Sequence, residues 1–336
     1  MKTLFICALL LGLIMPLAAA DGALPVYTVT SVTDCANTGA MFDRFYGLCE
    51  PGPVVPGLKE GLVPQGIAPI PHTEQLLFCG YRADKGNSAL IAVDMQTGAI
   101  TRAAALKYAD GRDYNGHAGG VCVTDSDIYI SNASHLYRIS LERFNALPET
   151  GVCRFDEEIP VPVNASFCSF QDGILWVGEF QLTGDYPTDP AHMVRTADGL
   201  QRAWICGYRV GEGEDFAAPD MILSVTERIQ GMTMDADHIY LSQSYGRRAS
   251  SSLLKYENVL LSEPDHTVIE SGAEVPVYIL DSASRLDVLI APPMSECICR
   301  AEEGIIVLFE SAAAPYTDPA KPSVNPIDRV FILKDF

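Results

Sequence analysis

Five segments of this 336-residue chain share one plan, and that internal repeat limits the possible folds more than any other feature. They read QGIAPIPHTEQLLFCGY from Gln65, HAGGVCVTDSDIYISNA from His117, SFCSFQDGILWVGEF from Ser166, QGMTMDADHIYLSQSYGR from Gln230 and SECICRAEEGIIVLFES from Ser295. Each opens on small or polar residues and enters an alternating strand. A polar turn follows, then a more apolar strand that ends in polar side chains. Successive starts lie 49 to 65 residues apart, and each interval holds two further strand-like runs, such as 89–94 with 99–106, or 135–141 with 158–163. Four strands in about 50 residues predict one propeller blade. The expected fold is therefore all-β, a single β-propeller over 21–336 with five four-stranded blades starting near 65, 117, 166, 230 and 295, six blades being the alternative.

The last repeat is one strand short. VYTVTSV at 26–32 alternates well and has no place in the first repeat, so it is expected to join the last blade as its outer strand and close the ring without an exposed edge.

A propeller brings two kinds of loop to one mouth of its central channel: those entering each inner strand, and those joining each second strand to the third. The first kind supplies Gln65, His117, Asn164, Gln230 and Met294, and the second supplies Tyr81, Arg82, Asn132, Glu179, Tyr245, Arg247 and Glu310. Glu179, His117 and Glu310 are the expected catalytic groups. Gln65, Tyr81, Arg82, Asn132, Gln230, Tyr245 and Arg247 are expected to contact a small-molecule or glycan ligand. Two long loops, 181–202 with Tyr186 and His192 and 311–328 with Tyr316, fall on the same rim, where long loops often serve function.

Two chemistries suit this set. Oxygen ligands could hold a divalent cation, calcium above all, that polarises an ester or lactone carbonyl. Alternatively, two glutamates could act as acid and base on a glycosidic bond. A rigid interaction scaffold without chemistry is the third reading. The serine-hydrolase elbow, the zinc-protease helix, the EF-hand loop, the dinucleotide fingerprint and the phosphate-binding loop are all missing.

The stretches QGIA, HAGGV, ILWVGEF and IYLSQSYGR resemble those of secreted β-propellers of the gluconolactonase and calcium-dependent phosphotriesterase-like superfamily, over about residues 60–336. The resemblance implies a metal held at the channel mouth, with Glu179 and Asn164 in the places of that family's glutamate and asparagine. Its aspartate ligand has no counterpart here, and its members are typically six-bladed.

The chain opens MKTLFICALLLGLIMPLAAADG, which reads as a secretory signal peptide cleaved after Ala20. A secreted monomer is expected, extracellular or periplasmic. No later apolar run reaches the roughly 20 residues of a membrane span. Net charge is −20 with Lys and Arg scattered, so no basic footprint for nucleic acid exists. Of ten cysteines, Cys7 lies in the leader, and Cys35 with Cys49 is the expected disulfide.

Overall fold

The computed structural model describes residues 24–211, 216–334 and 336; the expected leader at 1–20 lies outside them. Its β-strands gather into five blades. Blade 1 comprises Leu62–Ile70, Gln75–Arg82, Ala89–Asp94 and Ile100–Lys107; blade 2, Gly120–Val123, Asp127–Asn132, His135–Ser140 and Glu157–Pro160. Blade 3 holds Ala165–Gln171, Ile174–Glu179, Ala203–Arg209 and Met221–Val225; blade 4, Ile229–Met234, His238–Gln243, Ser251–Glu257 and Arg285–Ala291. Blade 5 consists of Ser295–Ala301, Gly304–Phe309 and Arg329–Leu333, completed from the N-terminal side by Cys49–Val54. The inner strands neighbour one another in a closed cycle, the first touching the last.

These strands are apolar on both faces because each blade is covered on both sides. Val121 and Val123 of blade 2 pack toward blade 1, whereas Cys122, one residue out of phase, packs toward blade 3. Side chains alternate across a strand, so a single run feeds two cores. Five apolar clusters result, one at each blade interface, including the one that joins blade 5 to blade 1. Near the axis the inner strands come so close that a side chain would collide with backbone. A Cβ on Gly66 would lie 2.5 Å from Val121 N, one on Gly120 2.5 Å from Cys168 N, and one on Gly231 2.8 Å from Cys297 Cα. The repeated Gln-Gly pairs thus place glycine where neighbouring blades touch.

The N-terminal segment closes the ring, but not through 26–32. The closing strand is Cys49–Val54, with Cys49 opposite Leu333, Glu50 opposite Ile332 and Pro51 opposite Phe331. Its prolines make it read as a loop, yet an outermost strand tolerates residues that cannot donate to a ladder. Residues 26–32 form a strap instead. Ser31 Oγ, Val32 N and Thr33 N donate to the buried carboxylate of Asp328 at 2.8, 2.6 and 2.9 Å, and the Cys35 thiol donates to it at 3.1 Å. Cys35 is therefore not bridged to Cys49, and all nine cysteines of the described residues are free thiols.

Two excursions leave one blade to edge its neighbour. Thr150–Arg154, which precedes the last strand of blade 2, pairs in parallel with Ile100–Lys107 of blade 1. Ala273–Ile279, which precedes the last strand of blade 4, pairs in parallel with Met221–Val225 of blade 3 and carries His266–Glu270 outside it. Among the described residues, no helix is long and apolar enough to cross a membrane.

Candidate active site

A shared irregularity aims side chains at the channel mouth. In blades 1, 3, 4 and 5 the pairing of the inner with the second strand slips just after the strand begins, between Pro64 and Gly66, Ala165 and Phe167, Ile229 and Gly231, and Ser295 and Ile298. Such bulges leave a residue unpaired and turn it out of the ladder. The residues skipped include Gln65, Ser166, Gln230 and Glu296, and all four line one cavity of about 1030 Å³. Backbone strain gathers on the same rim: Ala118, Ala133, Arg228 and Met294 adopt left-handed φ of 50°, 52°, 64° and 68°. Strain of this kind in non-glycine residues concentrates at functional sites.

Two carboxyls meet at the floor. Glu296, 3% exposed, comes from the bulge of blade 5, and Glu310 follows that blade's second strand. They hydrogen-bond each other, and each receives an amide from a flanking blade: Gln65 Nε2 donates to Glu310 Oε2 at 2.9 Å, and Gln230 Nε2 to Glu296 Oε1 at 3.2 Å. Burial pushes the Glu296 carboxyl well above its ordinary range, reinforced by the neighbouring Glu310 charge. Burial also lifts Glu310 to about 7, against the opposing pull of hydrogen bonds from Tyr316, Gln65 and Glu296 and of the Arg247 charge. Around neutral pH the pair therefore shares one proton, as two carboxyls in contact must.

A line of rings leads outward from this pair. Tyr316 neighbours Glu310, its hydroxyl lies 3.4 Å from that of Tyr81, and the Tyr81 ring stacks on His117 with centroids 4.8 Å apart. The His117 backbone N–H donates to Asn132 Oδ1 at 2.9 Å. It is reached by water from within the cavity, but protein surrounds it closely enough that desolvation lowers its pKa below the usual imidazole value. Arg247 lies over the Tyr316 ring, 4.8 Å from its centroid. Across the mouth, Phe180 joins Tyr186 and Tyr245 in an aromatic wall with centroids 5.2 and 6.0 Å from its own.

Gln65, His117, Asn132 and Asn164 from the first three blades line this cavity, with Gln230, Tyr245, Arg247 and Glu310 from the last two. Tyr81 stands behind His117 rather than on the wall. Arg82 is turned away into an ion pair with Asp84. Glu179 also lies outside the lining. Only 1% exposed, its carboxylate accepts Asn164 N at 3.3 Å, Trp204 N at 3.0 Å and His192 Nδ1 at 2.9 Å, while the His192 ring stacks on Trp204 at 3.8 Å. With both oxygens engaged, Glu179 pins the 181–202 loop to blade 3. It does not fit as a cation ligand beside Asn164, and among the described residues no group of three or more His, Cys, Asp or Glu side chains is placed to hold a metal ion. Glu296 was the residue not anticipated from sequence. The signal was present, because Glu296-Cys297 occupies the repeat position of Gln65-Gly66 and Gln230-Gly231.

No protein-family description and no curated protein sequence matches the chain. Solved structures with similar architecture include hydrazine synthase of Kuenenia stuttgartiensis, at 11% identity and a TM-score of 0.37, matched over 74% of this chain but 56% of its own length. Glutaminyl cyclase of Myxococcus xanthus is similar at 10% identity over 85% of this chain and 96% of its own, with a TM-score of 0.43. The calcium-binding regucalcin of Agrobacterium tumefaciens follows at 12% identity, 84% and 92% coverage and a TM-score of 0.42. A xylose-bound GH43_1 enzyme of Xanthomonas citri gives 12% identity, 80% and 87% coverage and 0.43. None of these similarities bears on the ligand.

Proposed function

We propose that the channel-mouth cavity hydrolyses a small ester or lactone, with Glu296 and Glu310 acting as an acid and base that share one proton. The observation that supports this reading is the hydrogen-bonded carboxyl pair on the cavity floor, because strongly shifted carboxyls in a cleft mark acid–base sites. A water oxygen attacks the carbonyl carbon while the Glu310 carboxylate accepts its proton and protonated Glu296 gives its proton to the carbonyl oxygen. The tetrahedral adduct then returns that proton to Glu296, Glu310 protonates the leaving oxygen, and the carbon–oxygen bond breaks. One water has been added and the pair is restored. Cleavage of a glycosidic bond by the same two groups is disfavoured, since carboxyls flanking such a bond stand about 5 to 9.5 Å apart. A second reading, glycan binding without chemistry, draws on the wall of Phe180, Tyr186 and Tyr245, whose faces suit the apolar side of a sugar ring.

Turnover of a panel of sugar lactones and nitrophenyl esters tests the proposal. Glu296→Gln and Glu310→Gln are expected to lower kcat/KM by about 10² to 10⁴-fold while the protein still melts cooperatively. The wild-type rate should rise as pH increases through about 7, where Glu310 loses its proton. Unchanged rates in both variants, or no turnover of any panel member by the wild type, would sink the hydrolase reading.

A further inference from the structure

The charge of the cavity mouth is opposite to that of the molecule. The chain carries 43 acidic against 23 basic residues, yet Arg247, Arg248 and Lys321 all line this one cavity, whose only carboxyls among the described residues are Glu296 and Glu310. Because that pair retains a proton, three cations face about one negative charge. None of the three forms a salt bridge among the described residues. Arg247 instead donates to the Lys321 backbone carbonyl and stacks on Tyr316, a contact that fixes its guanidinium over the floor. Arg248 and Lys321 are exposed at the rim. Three converging cations, none in a salt bridge among the described residues, on a protein with ample carboxylates to pair them, describe a site whose anion comes from outside.

We infer that the ligand bears an anionic oxygen group, a carboxylate, sulfate or phosphate, held at the rim by Arg248 and Lys321 while its reacting or hydroxylated part reaches the floor beneath Arg247. This rests on the cavity being the ligand site and narrows the substrate class to acidic sugars, their lactones, or comparable hydroxy acids. Guanidinium suits such groups through paired, charge-assisted hydrogen bonds. The field of the three cations would also draw an anion toward a molecule that otherwise repels it.

Calorimetry on the full chain with galactose, galacturonate, galactose 6-sulfate and galactose 6-phosphate tests the inference and separates the anion types. At least one charged sugar is expected to bind about tenfold or more tightly than galactose, with the preference falling as salt rises. Arg248→Ala with Lys321→Ala should bring the charged-to-neutral ratio close to one, and Arg248→Glu with Lys321→Glu should invert it. Circular dichroism confirms that these rim variants fold. Equal binding of neutral and charged sugars, a ratio indifferent to the substitutions, or no binding of any charged probe overturns the inference. Failure of the hydrolase reading looks different: the anion preference persists in Glu310→Gln while no ester or lactone is turned over by any form.

Discussion

Glu310 is a residue whose burial costs stability in a defined pH window. Its folded-state pKa is raised from 4.5 to about 7, chiefly by burial, so between these values the folded protein holds a proton that the unfolded chain has released. Stability linked to this group is fully present below about pH 4.5 and is lost as pH rises through about 7. At 1.36 kcal/mol per pH unit, a rise from 4.5 to about 7 corresponds to roughly 3 kcal/mol at most. His117 works in the opposite direction, because its lowered pKa makes the folded protein lose stability as pH falls below the usual imidazole range. The wild-type melting curve mixes the two, so the informative quantity is the difference between wild type and Glu310→Gln. We expect the variant to gain relative stability from pH 5 to about pH 7 and to level off above it by differential scanning calorimetry. Parallel curves would show that Glu310 is ionised throughout. Glu179, by contrast, is almost fully buried, and its donors Trp204 N, Asn164 N and His192 Nδ1 engage both of its oxygens. A strand-end carboxylate thus becomes structural or reactive according to how many donors the backbone aims at it.

At the scale of elements, the strap and the bulges carry the most information. The strap at 26–33 delivers three donors to Asp328, and Cys35 delivers a fourth. Burial pushes the Asp328 carboxyl up, but these hydrogen bonds outweigh it and hold it below its ordinary range. Its stabilising contribution is therefore present above the usual carboxylate pKa and is lost as pH falls through the lower folded value. Asp328→Asn should lower stability by roughly 2 to 4 kcal/mol in urea titrations at neutral pH, because an amide cannot accept from all four donors. A loss below about 0.5 kcal/mol would mean the strap is dispensable. Much of the element pattern was legible in the sequence: Ala89–Asp94 and His135–Ser140 appear as apolar alternation flanked by turn residues, and the structure keeps those bounds to within a residue. What periodicity could not show was pairing with a distant partner. Thr150–Arg154 is a short strand whose register comes wholly from blade 1, and Cys49–Val54 reads as a loop because of its prolines. The bulge at Glu296 was hidden for the same reason, since a bulge is a property of two strands and a sequence presents them singly.

For the whole molecule the question is what keeps a ring of five blades closed. Each blade contributes two apolar faces, so opening the ring at any interface exposes a cluster that has no other cover. The termini meet in blade 5, where three layers seal the junction. The closing strand Cys49–Val54 pairs with Arg329–Leu333, the strap binds Asp328, and the short helix Asp43–Leu48 inserts Phe45 between Phe309 and Phe331, with ring centroids at 5.8 and 5.4 Å. Parallel pairings stitch blade 1 to the chain of blade 2 and blade 3 to that of blade 4, whereas among the described residues no such stitch crosses from blade 5 to blade 1. The meeting of the termini within blade 5 depends on the N-terminal segment, and two truncations separate its layers. A chain starting at residue 36 loses the strap and Cys35 alone; it should melt several degrees lower but still in one transition. A chain starting at residue 55 also loses Phe45 and the closing strand, which bares the edge of Arg329–Leu333 to pairing with other copies. It should unfold over a broad range and associate in light scattering, and its cavity should fail, because Glu296 and Glu310 belong to the blade left open. If that shorter chain keeps both the melting temperature and the monodispersity of the longer one, the N-terminal strand is decoration and the ring is held by its blade interfaces alone.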